Sequence, residues 1–114
     1  MSTSDTCTAP HPPRAPAALH EPAVVARAAS LLRAMGDPAR LRLLEQLAAH
    51  GEQCVSELAE ASGDGMSTVS QRLRLLRSEH LVSRRRDGKH IHYSLRDDHV
   101  RALITAALEH AAES

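Results

Sequence analysis

The stretch Met66-Ser-Thr-Val-Ser-Gln-Arg-Leu-Arg-Leu-Leu-Arg-Ser78 and its continuation Val82-Ser-Arg-Arg-Arg-Asp-Gly-Lys-His-Ile-His-Tyr-Ser-Leu95 decide the architecture. In the first part Val69, Leu73 and Leu76 recur at helical spacing. In the second part the period changes to two. Asp87-Gly88 stands between two alternating runs, which predicts a hairpin on a type I′ turn. Just upstream, a short helix over about Val55 to Ala61 leads into the turn Ser62-Gly63-Asp64-Gly65. Two helices across a short glycine-containing turn make a helix-turn-helix, and a hairpin directly after it is a wing.

Working outward, Asp37 reads as an N-cap with Pro38 at the first helical position, opening a helix through Leu41, Leu44 and Leu47. Before it, Pro22 opens a helix carrying Val24, Val25, Ala28, Leu31 and Leu32, stopped at Gly36. At the other end Asp97 or Asp98 caps an alanine-rich helix running nearly to Ser114. Residues 1–20 hold prolines at positions 10, 12, 13 and 16 among Ser and Thr, and bury too little to offset their ordering entropy. The expectation is therefore a flexible arm over 1–20 and one domain over 21–114. That domain is mostly α with a β-hairpin wing (α+β), a winged helix-turn-helix that binds DNA and dimerises.

Placing residues at about 100° each puts Ser67, Ser70, Gln71 and Arg74 opposite Val69, Leu73 and Leu76. Short hydroxyls, an amide and a guanidinium there suit phosphates and base edges. Over all 114 residues, 14 Lys+Arg balance 14 Asp+Glu. Between Met66 and Arg96, however, eight basic residues face only Glu79 and Asp87, a surplus of +6 set against −6 elsewhere. Segregation of this kind is the footprint of a duplex-DNA binder. With Tyr93 the sole aromatic residue, single-strand modules that stack bases are disfavoured. Two cysteines make no disulfide framework, and neither a signal peptide nor a membrane-length apolar run is visible, so the expectation is a reduced cytoplasmic setting without a membrane partner. Nor is there a nucleophile–base pair, phosphate loop or cofactor motif: no enzyme and no small organic ligand are expected.

The last helix carries metal-ligand arithmetic. Val100, Leu103, Ile104, Ala107, Leu108 and Ala111 form its apolar stripe. His99 and His110, eleven residues apart, point within about 20° of each other, with Glu113 on the same flank and Asp97 at the capped end. The two ends are about 16 Å apart, so one helix cannot close a four-ligand site. Two copies packed antiparallel about a two-fold would set Asp97 and His99 of one beside His110 and Glu113 of the other, giving a homodimer with paired terminal helices and two identical sites. Two imidazoles and two carboxylates suit tetrahedral Zn(II), with Co(II) or Cd(II) as other effectors. A second set, Cys54 and Glu57 with Cys7 and His11 of the arm, is also conceivable, although Cys54 also fits a small buried hydrophobe and Cys7 an idle thiol. Rival readings are a thiol-redox switch using Cys7 and Cys54, and a metal-buffering protein that never touches DNA.

Met35-Gly-Asp-Pro-Ala-Arg-Leu-Arg-Leu-Leu44, Gln53-Cys-Val-Ser-Glu-Leu58, Ser67 to Leu76, Leu81 to His90 and Tyr93 to His99 together resemble the ArsR/SmtB family of winged-helix metal-sensing repressors, most of all its zinc-sensing SmtB branch. The resemblance implies a homodimer that binds a dyad-symmetric operator when metal-free and releases it when zinc binds. It places the terminal-helix ligands on Asp97, His99, His110 and Glu113, and an additional site on Cys7 and His11 of one chain with Cys54 and Glu57 of the other. It carries DNA contacts onto Ser67, Thr68, Ser70, Gln71 and Arg74, and onto the wing at Arg86, Lys89 and His90. The chain departs from the family at Cys54-Val-Ser56, where arsenic, cadmium and lead sensors have a second thiol, which argues against a thiophilic effector. Glu57 replaces the zinc branch's Asp, and Arg72 stands where His or Gln is common.

Overall fold

The computed structural model describes residues 18–113 together with Pro10 and Pro12. Helix α1 spans Pro22–Met35 and α2 Pro38–His50. Strand β1 (Gln53–Cys54) leads into α3 (Val55–Ser62) and α4 (Met66–Ser78), followed by β2 (Val82–Asp87), β3 (His90–Leu95) and α5 (Asp98–Ala112). The Asp37 carboxylate accepts from the Arg40 N–H at 3.0 Å, so the cap and the proline together start α2 as the sequence predicts. The Arg40 side chain reaches back to the carbonyls of Ala34 and Arg33 and satisfies the end of α1.

One core joins the five helices to β2 and β3. Leu44, Leu47, Leu58, Val69, Leu73 and Leu76 are completely buried, and Tyr93, Val100 and Ile104 close the core from β3 and α5. Between α3 and α4 the chain turns through Gly63 at φ +76°, a left-handed backbone that glycine adopts without a Cβ clash. At the other end of α4 the Leu81 N–H bonds to the Leu76 carbonyl and the His80 N–H to that of Arg77. Those two bonds define a Schellman motif. Its left-handed position, usually glycine, is His80 at φ +59°.

The sheet has strand order β1-β3-β2 and is antiparallel throughout. Its two-residue β1 is absent from the sequence reading, being too short to display a period. The hairpin is confirmed with a corrected turn. Asp87 pairs with His90, so the loop is Gly88-Lys89, and among the described residues of the loop only Gly88 has positive φ. Type I′ requires positive φ at both central residues, whereas glycine at the first position alone is the type II′ pattern.

A candidate DNA face and metal-ligating helix

Because Val69, Leu73 and Leu76 anchor α4 in the core, the opposite side of the helix is turned outward. Ser67, Thr68, Gln71 and Arg74 are exposed and Ser70 is half-buried on that side, as expected. Gly65 at the N-cap supplies no side-chain cap, so the first-turn N–H groups also face outward uncapped. Arg86, Lys89 and His90 are exposed at the wing tip.

Two of the eight basic residues in this segment are committed within the protein. The Arg72 guanidinium bonds the Asp64 carboxylate at 2.6 Å, tying the inter-helix turn to the helix that follows it. Arg85 donates to both Glu52 oxygens, at 2.7 and 3.2 Å, and so ties the wing to the loop before β1. That pairing draws the Glu52 carboxyl below its ordinary range. Sequence reasoning counted these two as part of the DNA-facing charge and did not single out Arg77 and Arg84. These two share a groove with Arg74 between α4 and the sheet. The spacing 70, 74, 77 carried that signal, since it continues one helical face by another turn.

On α5, Asp97 is the N-cap: its Oδ1 accepts from the Val100 N–H at 3.0 Å, leaving Oδ2 uncommitted. His99 is fully exposed, with Nδ1 3.9 Å from that same Oδ1. His110, in the last turn, and Glu113, at the C-cap, are also exposed. Among the described residues of a single chain, no three His, Cys, Asp or Glu converge as metal ligands. The donors nonetheless suit a divalent ion, for among the described residues neither imidazole nor Asp97 Oδ2 has a hydrogen-bond partner. The apolar stripe of α5 proves to be divided. Val100 and Ile104 are buried and Leu108 half-buried against the chain's own core, whereas Leu103 stays 37 % exposed. Val25 and Leu32 of α1 are also more than half exposed, at 57 % and 51 %. A cavity of about 610 Å³ lies between these helices, bounded by Ser78, Glu79 and His80 at the end of α4 and by Asp97 and His99.

Cys54 caps α3, and Glu57 reaches back to accept from the Cys54 N–H at 2.9 Å, which holds its carboxyl below the usual range. Cys54 also lies directly across from His92 in the β1–β3 ladder, a neighbour invisible in the sequence. Cys7 and His11 lie outside the described residues.

A family model described as bacterial regulatory protein, arsR family, matches residues 37–84, from the cap of α2 into β2. Over 96 residues the chain is 43 % identical to the HTH-type transcriptional regulator NmtR of Mycobacterium tuberculosis, covering 84 % of this chain and 79 % of that protein. The chain belongs to the ArsR family. A second family member, the transcriptional repressor SmtB homolog of Synechocystis, is 45 % identical over 86 residues, which are 75 % of this chain and 64 % of that relative's length. Among solved structures, the homodimeric winged helix-turn-helix DNA-binding domain of a possible ArsR-family regulator from Mycobacterium bovis superposes with TM-score 0.76 at 32 % identity, covering 80 % of this chain and 83 % of that one. The family assignment and the winged helix-turn-helix expected from the sequence therefore hold. These relatives are named as regulators rather than enzymes, as the missing catalytic motifs implied. Among the described residues, no helix is long and apolar enough to cross a membrane.

Proposed function

We propose that this chain is a cytoplasmic, metal-responsive transcriptional repressor that binds a dyad-symmetric operator as a metal-free homodimer and releases it when Zn(II) binds. The observation that carries this reading is the uncovered apolar surface of α1 and α5, flanked by the uncommitted imidazoles of His99 and His110. A second copy is its natural cover. Antiparallel pairing of two α5 helices would bring Asp97 and His99 of one protomer toward His110 and Glu113 of the other. Zinc supplies a charged link between the two helices when bound, and Co(II) or Cd(II) suits the same donors.

The response then follows from what joins α5 to the DNA face. Arg96 donates its N–H to the Leu81 carbonyl, clamping the entry to α5 against the exit from α4. Ser30 of α1 donates to Glu79 at 2.7 Å, at that same exit. A shift of α1 and α5 about the dimer axis is thereby transmitted to the end of the recognition helix, and with it to the spacing of the two recognition helices. A coupling of about 1–3 kcal/mol changes operator occupancy 5- to 150-fold. Cys54 and Glu57, with Cys7 and His11 of the partner, are the second ligand set. Base and backbone contacts fall to Ser67, Thr68, Ser70, Gln71 and Arg74, with Arg86, Lys89 and His90 from the wing.

The test is a zinc titration of the purified protein on duplex from its own promoter. His110→Ala should bind metal-free as wild type does and lose the zinc response; dissociation at an unchanged zinc concentration removes α5 from the sensing role. Cys54→Ser keeps a good N-cap, so a changed response there reports ligand or thiol chemistry rather than a damaged fold. A protein that buffers metal without binding DNA shows no salt-dependent shift of the duplex.

A further inference from the structure

Six basic side chains of the Met66–Arg96 segment remain once Arg72 and Arg85 are set aside with their carboxylates. Four of the six do not lie on the wing tip. Arg74 and Arg77 project from α4, Arg84 from β2, and Arg96 from the end of β3, and all four line one groove of about 510 Å³. Arg74, Arg77 and Arg84 also line an adjoining hollow of about 200 Å³ with Ser70, which joins the groove to the base-reading side of α4. Neither wall contains a carboxylate. None of the four guanidinium groups has an ion-pair or hydrogen-bond partner among the described residues.

Four like charges around one groove repel each other unless an anion enters between them, and the segment that spends Arg72 and Arg85 on internal carboxylates leaves these without any. Register places them by construction. Arg84 pairs with Tyr93, so it stands on the sheet face that packs toward α4, and Arg74 and Arg77 follow Ser70 along one helix face. The groove runs alongside the recognition helix and is flanked by the wing.

We propose that this groove seats the phosphodiester backbone of duplex DNA, with Arg77, Arg84 and Arg96 as positioning contacts beyond those on the recognition face. This rests on the reading of the chain as a DNA-binding regulator and adds the strand-holding residues to it. Guanidinium forks grip phosphate oxygens with two parallel bonds and carry no base preference. The groove therefore sets the register in which Ser70, Gln71 and Arg74 meet the bases, and it contributes equally to every sequence.

The experiment compares metal-free wild type with Arg77→Gln/Arg84→Gln on a labelled duplex of unrelated sequence, measured by anisotropy across a salt series. Glutamine retains part of each stem, and both positions are exposed, so a matching thermal melt checks the fold. Each phosphate contact contributes about 0.9 to the slope of log K against log salt, and a homodimer carries both substitutions twice, so the double variant should flatten that slope by about 3.6. A charge-matched control, Arg33→Gln/Arg42→Gln on α1 and α2, should keep the wild-type slope. An unchanged slope in the groove variant overturns the proposal, as does an equal flattening in the control, which assigns the effect to the overall field. Wild type that binds no duplex overturns the regulator reading and the groove with it, a result distinct from either of those.

Discussion

His80 occupies the left-handed position of the Schellman motif that ends α4, with φ +59°. An L-residue in that conformation costs about 1–2 kcal/mol relative to right-handed backbone. Glycine removes the Cβ that causes the cost, but its unfolded chain is freer by about 0.5–1 kcal/mol. The motif's apolar contact, between Leu76 and Leu81, stays in place because both are buried and neither is altered. His80→Gly should therefore stabilise the fold by about 0.5–1 kcal/mol, which raises the melting temperature by roughly 2–8 °C for a domain of this size. The assay is a thermal melt by circular dichroism at fixed protein concentration and with chelator present, since dimerisation and metal both shift such a midpoint. His80→Ala is the control: it removes the imidazole, keeps the Cβ, and should melt at or below wild type. If the glycine variant melts no higher than the alanine variant, the backbone at this junction is not strained and the reasoning fails.

Two further outcomes follow from local contacts. Asp97→Ala removes the cap of α5 and should cost about 1 kcal/mol by chemical denaturation, while Asp97→Asn preserves the cap bond and should cost little; equal losses would mean that the Val100 N–H bond is not what Asp97 contributes. Glu52 titrates below its ordinary value because of Arg85, so what the pair adds to the fold is complete above the unfolded carboxylate's value and disappears as acid passes through the lower folded one. In an NMR pH titration Arg85→Gln should move the Glu52 midpoint upward, and a midpoint that stays where it was assigns the depression to another group.

What could be read from residue order was whatever depends on neighbours three or four apart. Val69, Leu73 and Leu76 state both that α4 is a helix and which side faces inward, so the outward face of Ser67, Gln71 and Arg74 follows without coordinates. Asp37 and Asp97 announce their helices because a cap acts on the N–H three residues on. The partnerships of Arg85 with Glu52 and of Cys54 with His92 span more than thirty residues and exist only once the sheet forms. The Asp87-Gly88 signal puts the hairpin turn one residue early, since Asp-Gly and Gly-Lys both make loops and only cross-strand pairing decides between them. The division of the α5 stripe was equally hidden: periodicity puts Leu103 and Ile104 on one apolar side, and says nothing of which one the chain itself covers.

Tyr93 is the only aromatic residue of the sequence, which has no tryptophan, and it sits buried on the central strand, lining the hollow shared by Ser70, Arg74, Arg77 and Arg84. The molecule thus carries a single native fluorophore at the seam where helix and wing meet. Zinc, having a filled d shell, is itself optically silent. Tyrosine emission from the unlabelled protein therefore reads whether a metal bound at α5 alters the far side of the recognition helix, with no background from any other aromatic side chain.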